Sequence, residues 1–249
     1  MLRGLLHLTW LEIKIFLREP LGVFGTIGVP VLLFLIVGRM VGSRVRRAGP
    51  GMPPGLAADL PIFVSLFVTI GAVLSLVAIM AIYREGGILK RLRATPLRPH
   101  TILAAHVLVK LLFSAITIAA MLLAGRSYFP GAAGAPLVSF GLAVVFTTLS
   151  VLSVGFLIAS VVPTARFAQP FGALVLYPML ALSGLFVPID ALPASLQMVS
   201  RVLPLTYAVS LLRGIWGGEG WLMHLDDVAV LTLTFVAATA LAGRVFRWE

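Results

Sequence analysis

Apolar residues fall along this 249-residue chain in long runs separated by short polar breaks. A hydrocarbon core of ~30 Å needs ~20 apolar residues per helix. The runs Leu21–Val41, Leu60–Tyr83, Ile102–Ala124, Pro136–Val162 and Val228–Phe246 meet that length. Pro30, near the middle of the first run, predicts a kink whose freed backbone groups are satisfied by neighbouring helices. A further run starts near Gln169 and carries Pro170, Pro178 and Pro188, a pattern that argues against one straight helix. The pattern predicts an all-α integral membrane protein of about six transmembrane helices in one transmembrane domain, residues 1–249.

Two segments break the pattern. On a helical wheel Arg3, His7, Lys14 and Arg18 fall within about 60° of one another, so residues 1–19 read as a mostly apolar helix with a basic stripe. Such a helix lies in the membrane interface. Glu12, on its apolar side, does not fit that stripe. Residues 189–227 mix apolar patches with glycines, Pro193, Pro204, Trp216 and Trp221, which predicts short, partly buried or re-entrant helices before the last span.

Composition agrees with the pattern. At 60% hydrophobic and 11% charged, with a mean hydropathy of +1.08, the chain has too little charge to cover a soluble globule of its length. The solvent for most of it is lipid. The net charge of +10 sits at the ends of the apolar runs, where anionic lipid headgroups meet it, and points away from nucleic acid. The absence of cysteine removes disulfides, thiolate metal sites and a cysteine nucleophile.

With the amino terminus inside, eleven Lys and Arg residues fall on inner segments and seven on outer ones. That bias predicts both termini in the cytoplasm. The cluster Arg44, Arg46 and Arg47 on the first outer loop dilutes it.

Several chemistries are excluded by inspection. A phosphate-binding loop needs G-x-x-x-x-G-K-[ST], and Lys14, Lys90 and Lys110 are followed by Ile, Arg and Leu. The chain therefore binds no ATP by that route, and no cofactor is expected on it. Metalloprotease and serine-hydrolase motifs are absent, and His7, His100, His106 and His224 are scattered. His224 with Asp226 and Asp227 reads as a polar loop before the last span. An ion-coupled transporter or a polytopic membrane enzyme would rest on His106 and Lys110, one turn apart on the third span. The plainer reading has Lys110 snorkelling to the inner headgroups or facing a dimer interior.

The loop Tyr83–Leu97, YREGGILKRLRATPL, carries the most information. Gly86-Gly87 ends the membrane helix, Ile88 to Arg93 suffice for one or two turns, and Thr95-Pro96 stops them. Ile88, Leu89 and Leu92 share one face, Lys90, Arg91 and Arg93 point elsewhere, and Glu85 suits the amino-terminal end. A short amphipathic helix of this kind gives a separate motor a knob to push on.

This loop resembles the signature of the ABC type-2 transporter permeases through Glu85, Arg91, Leu92, Thr95, Pro96 and Leu97. Leu182–Gly218 resembles the same family's carboxy-terminal signature through Ser183-Gly184, Pro188, Leu192-Pro193, Leu203-Pro204, Thr206-Tyr207 and Arg213-Gly214. The resemblance implies the membrane subunit of a prokaryotic inner-membrane ABC exporter, working as a homodimer or heterodimer. Two ABC ATPase subunits would dock beneath and hold the ATP and Mg. Residues 83–97 would then be the coupling loop, with Glu85, Ile88, Leu89, Arg91, Leu92 and Pro96 transmitting ATPase motion. Tyr177 and Ser183 on the fifth span, with Lys110, are candidates for a substrate path. The cargo expected is an amphiphilic or hydrophobic molecule such as a drug or lipid. The resemblance is strongest to the multidrug-resistance branch, and the polysaccharide and lipid-linked glycan export branch shares the layout.

Overall fold

A computed structural model describes residues 2–36, 39, 60–87, 99–125, 136–162 and 164–245. Every regular element among them is helical. Helix α1, Leu2–Leu17, meets α2, Pro20–Ile36, at an angle of 95°. Glu19 and Pro20 form the break, where the ring fixes φ and no amide is lost to the new helix. A π-helical turn, Phe24–Gly28, loosens α2 just before Pro30, so the expected kink is absorbed there.

The long helices follow: α3, Leu60–Glu85; α4, Pro99–Gly125; α5, Leu137–Val161; and α6, Ala165–Ala181. A single 3₁₀ turn, Ile189–Ala191, and two short helices, α7 (Ala194–Ser200) and α8 (Pro204–Trp216), come next. A second 3₁₀ turn, Trp221–His224, leads into α9, Leu225–Val245.

Among the described residues three helical stretches are long and apolar enough to cross a membrane, Ala104–Met121, Leu137–Val161 and Trp221–Val245. The bent pair Gly4–Leu17 and Pro20–Ile36 makes a fourth if counted as one span. α3 has 26 residues, about 39 Å at 1.5 Å per residue.

α5 lies at the centre, packed against α3, α8 and α9. Gly155 makes the closest approach possible: a Cβ there would stand 2.6 Å from Val73 Cγ1 of α3. The core is built on this pair, with Leu66, Leu76, Met80, Phe140 and Leu152 fully enclosed. Several polar side chains inside the bundle find their partners within it. Thr69 and Thr148 share a hydrogen bond of 3.0 Å, and Ser150 donates to the Leu231 carbonyl at 2.8 Å. Lipid offers no alternative partner, so such pairs hold helices together.

α9 buries one stripe, Asp227, Leu231, Ala238 and Ala242, and turns Leu233, Phe235, Val236 and Leu241 outward. An apolar outer face on a helix that also packs inward is the pattern of a lipid-facing span. α6 runs as one helix from Ala165 through both Pro170 and Pro178 and ends before Pro188. The prolines stand in the second and the last turn, so the ladder between them is intact and the Leu182 amide still reaches the Pro178 carbonyl at 3.0 Å.

Candidate functional site

Two polar assemblies stand out against this apolar background. The first joins α1 to the helices that flank the loop Tyr83–Leu97. Residues Ile88, Leu89, Arg91, Leu92 and Pro96 lie outside the described residues, and α3 ends at an exposed Glu85. Gly87 follows with φ +63°, a left-handed conformation that ends the helix as Gly86-Gly87 predicts.

Two residues before Glu85, Tyr83 donates its hydroxyl to Glu12 Oε1 at 3.2 Å. His106 of α4 brings Nδ1 to 3.4 Å from Glu12 Oε2, and its ring lies 5.3 Å from that of Tyr83. One turn on, Lys110 donates its ammonium to Ser75 Oγ of α3, 5.5 Å above the ring of Phe16. Phe16 in turn packs on Phe113 of α4 at 4.3 Å. Glu12 therefore ties the amino-terminal helix to both α3 and α4, on either side of the loop.

The residue that spoiled the basic stripe of α1 turns out to be the inward-facing anchor of that helix. His7, Lys14 and Arg18 are exposed as the stripe predicts, while Glu12 and Phe16 turn inward. Lys110 is buried and bonded within the subunit, so it does not reach an interface by snorkelling. While His106 Nδ1 faces Glu12, its Nε2 is buried and without a hydrogen-bond partner.

The second assembly is built from the segment between α6 and α9. Ser183 is buried and donates to the Leu180 carbonyl at 2.6 Å, closing the end of α6. Gly184 then turns the chain with φ +83°. Ser200, at the end of α7, reaches back to the Leu182 carbonyl at 2.7 Å. Thr206 Oγ1 donates to the Ser200 carbonyl at 2.7 Å, and Tyr207 Oη to that of Arg201 at 2.6 Å. Gln197 donates to the Leu192 carbonyl at 2.8 Å. Arg213 of α8 donates to the Gly184 carbonyl at 3.5 Å. These bonds satisfy carbonyls that a broken helix leaves open.

His224 locks the far end. Its Nδ1 lies 2.8 Å from Asp227 Oδ2 and its Nε2 2.8 Å from Glu219 Oε2. A neutral imidazole donates through one nitrogen only, so both bonds are made in full by the doubly protonated ring. Asp227, not Asp226, is the partner, and Glu219 joins from the preceding turn. Gly214 makes room for the ring: a Cβ there would stand 1.8 Å from His224 Nε2.

The paired residues of the carboxy-terminal signature thus have structural duties in one knot. Ser183 lines a cavity between residues 183–190 and α8. Tyr177 is exposed on α6, and Tyr177 and Lys110 are not among the residues lining that cavity.

Residues 3–216 match the ABC-2 type transporter family. The chain belongs to that family. Its members are the membrane permease components of ABC transporters, and the match takes in residues 83–97 and all but the last two residues of Leu182–Gly218. Similar proteins include Nodulation protein J of Rhizobium leguminosarum bv. viciae, 29% identical over 105 residues. Those of Rhizobium meliloti (strain 1021) and Rhizobium leguminosarum bv. trifolii are 29% and 30% identical over the same length. Each of these matches covers 41% of this chain and 40% of the relative.

Proposed function

We propose that this permease forms the membrane-spanning part of an ABC exporter, driven by ATP hydrolysis on two separate ATPase subunits, and that it moves an amphiphilic or hydrophobic cargo such as a drug or lipid. In this reading it crosses the prokaryotic inner membrane about six times with both termini in the cytoplasm. Two permease copies enclose the path, and the ATP and Mg sit on the partner chains. Residues 83–97 carry the ATPase stroke through Glu85, Ile88, Leu89, Arg91, Leu92 and Pro96.

The observation that carries the reading is the position of Glu12. Motion delivered to residues 88–98 must enter the bundle through the ends of α3 and α4, and Glu12 binds Tyr83 on one and His106 on the other. A displacement of the loop would therefore move α1, α3 and α4 together. α6 presents Phe167, Phe171, Leu174 and Tyr177 as an exposed stripe. That stripe suits a second permease copy or the cargo path between two copies. The amphipathic α1 also favours a second reading, export of a polysaccharide or lipid-linked glycan, in which the same machinery moves a larger headgroup.

The test is affinity purification of the tagged chain in mild detergent, followed by identification of its partners and an ATPase assay. A stoichiometric ATPase subunit that is lost on Glu85→Lys or Arg91→Glu, with membrane insertion intact, supports the reading. A chain that arrives alone and transports substrate in liposomes overturns it and returns attention to His106 and Lys110 as an ion-coupled site.

A further inference from the structure

The knot between α6 and α9 carries an open cavity of about 530 Å3 that the coupling reading leaves unused. One wall is α8, with Ser210 and Arg213 three residues apart on one face, and Arg201 stands just before that helix. The other wall is the turn through Asp190, and Glu219 and His224 close the end. Both arginines are exposed at the side chain but fixed at the root. The Arg201 carbonyl is held by Tyr207, and the Arg213 guanidinium is steadied by the Gly184 carbonyl. Glu219 shares the His224 ring with Asp227, so one ring answers two carboxylates and part of the Glu219 charge remains in the wall. Asp190 leaves the cavity two-signed, which disfavours a polyanion and suits a group with a single negative charge.

Bare apolar side chains stand close in the chain to the lining residues Arg201 and His224. Met198 and Val202 on the α7 side, and Leu222 and Met223 on the turn before α9, are each more than 70% exposed. A polar cavity flanked by bare aliphatic side chains matches a molecule with a charged head and a greasy tail. Guanidinium forks match the oxygens of a phosphate ester better than any other common headgroup.

We propose that this cavity binds the phosphate-bearing headgroup of an amphiphile. Arg201 and Arg213 hold the phosphodiester, and the tails lie over Met198, Val202, Leu222 and Met223. The site belongs to this chain alone and does not depend on an ATPase partner, so it stands or falls separately from the coupling loop. A bilayer phospholipid and an exported phospholipid-like cargo present the same chemistry there.

The experiment uses the full chain purified in dodecyl maltoside. Calorimetric titration is made with dihexanoyl phosphatidylglycerol, with dihexanoyl glycerol, which lacks the phosphate, and with inorganic phosphate. Saturable binding of the phosphatidylglycerol is expected, at least ten-fold tighter than either of the others and weakened by added salt. Arg201→Gln should weaken it about ten-fold and Arg201→Glu further. Arg213→Lys, which keeps the charge but loses the fork, should fall between wild type and Arg201→Gln. Arg201 is the primary test because its exposed side chain leaves the bonds of the knot in place; elution at the wild-type volume checks this. Equal affinity for inorganic phosphate would make the cavity a site for the free ion and overturn the amphiphile. Wild-type affinity in Arg201→Glu, or equal binding of dihexanoyl glycerol, would overturn the headgroup assignment. To separate bilayer lipid from cargo, the chain is extracted from native membrane and its bound lipids are identified by mass spectrometry. A co-purifying membrane phospholipid that Arg201→Glu releases assigns the site to the bilayer. A phosphate-bearing amphiphile foreign to the bulk membrane, released by the same variant, assigns it to cargo.

Discussion

Gly214 offers the sharpest quantitative test of the knot between α6 and α9. In a helix interior Gly→Ala stabilises by about 1 kcal/mol through propensity. Here the added Cβ would stand 1.8 Å from His224 Nε2 and 2.3 Å from Cε1. The ring is the end of a side chain, so it swings away and takes both carboxylate bonds with it. The Asp227 bond, on a carboxylate only 11% exposed, is worth about 1.5–3 kcal/mol as a charged hydrogen bond. The Glu219 bond, on a carboxylate 54% exposed, is discounted to about 0–1 kcal/mol. The net for Gly214→Ala is a loss of about 1–2 kcal/mol, or a fall in Tm of roughly 2–8 °C for a chain of this size.

The diagnostic is a reversal of sign. In a His224→Ala background the obstruction is gone, and Gly214→Ala should stabilise by up to about 1 kcal/mol. The coupling between the two sites is then about 2–3 kcal/mol, within the range for residues in contact. The four proteins are compared by thermal unfolding in one detergent at one concentration, followed by loss of the folded elution peak. An equal effect of Gly214→Ala in both backgrounds would refute the steric argument, and no effect in the wild type would refute the clamp.

The other expectations use the same logic at other contacts. Ser200→Ala removes the bond to the Leu182 carbonyl and should cost about 1–2 kcal/mol, read as a lower Tm with unchanged expression. Gly155→Ala should cost about 1–3 kcal/mol by overpacking against Val73, and Val73→Ala in the same chain should restore most of it. Lys110→Met replaces a buried ammonium by an apolar chain of similar length, so stability should stay within about 1 kcal/mol of wild type. Complete loss of transport in that variant, at normal expression, would give Lys110 a functional role.

Sequence patterns locate elements whose signal is local. The runs of α4, α5 and α9 are continuous and apolar, and their positions were legible to within a few residues. The short helices before α9 were legible as a class, because Pro193 and Pro204 start them and Gly217 ends the second. α6 holds Pro170 and Pro178 in one helix because the cost of a proline depends on its turn and both stand near helix ends, and the helix stops before Pro188. The partners of Glu12 were not legible at all. Tyr83 lies 71 residues away and His106 further still, so only the misfit of an acid on an apolar face could mark it. The same holds for His224, whose nearer acid, Asp226, is not its partner.

The polar residues of this permease divide by what their bonds restrain, and that division says which parts are built to move. Thr69 with Thr148, and Ser150 with the Leu231 carbonyl, join helices in the middle of the bundle through neutral hydroxyls. Such bonds are modest and leave no charge behind when strained. Apart from Lys110 on Ser75, which joins α4 to α3, the charged contacts stand nearer the helix ends. Glu12 binds the ends of α3 and α4 that enclose residues 88–98, and His224 binds the turn and helix start that follow α8. A charge in a low-dielectric setting resists separation from its partner far more strongly than a hydroxyl does. The helices joined at Glu12 should therefore travel as one unit, and so should α8 with the start of α9. Motion between those units falls on the neutral contacts of α5, where Gly155 already allows the closest approach to α3. Under the proposed coupling, a push at residues 83–97 would then move the helix ends as rigid units against the central helix α5.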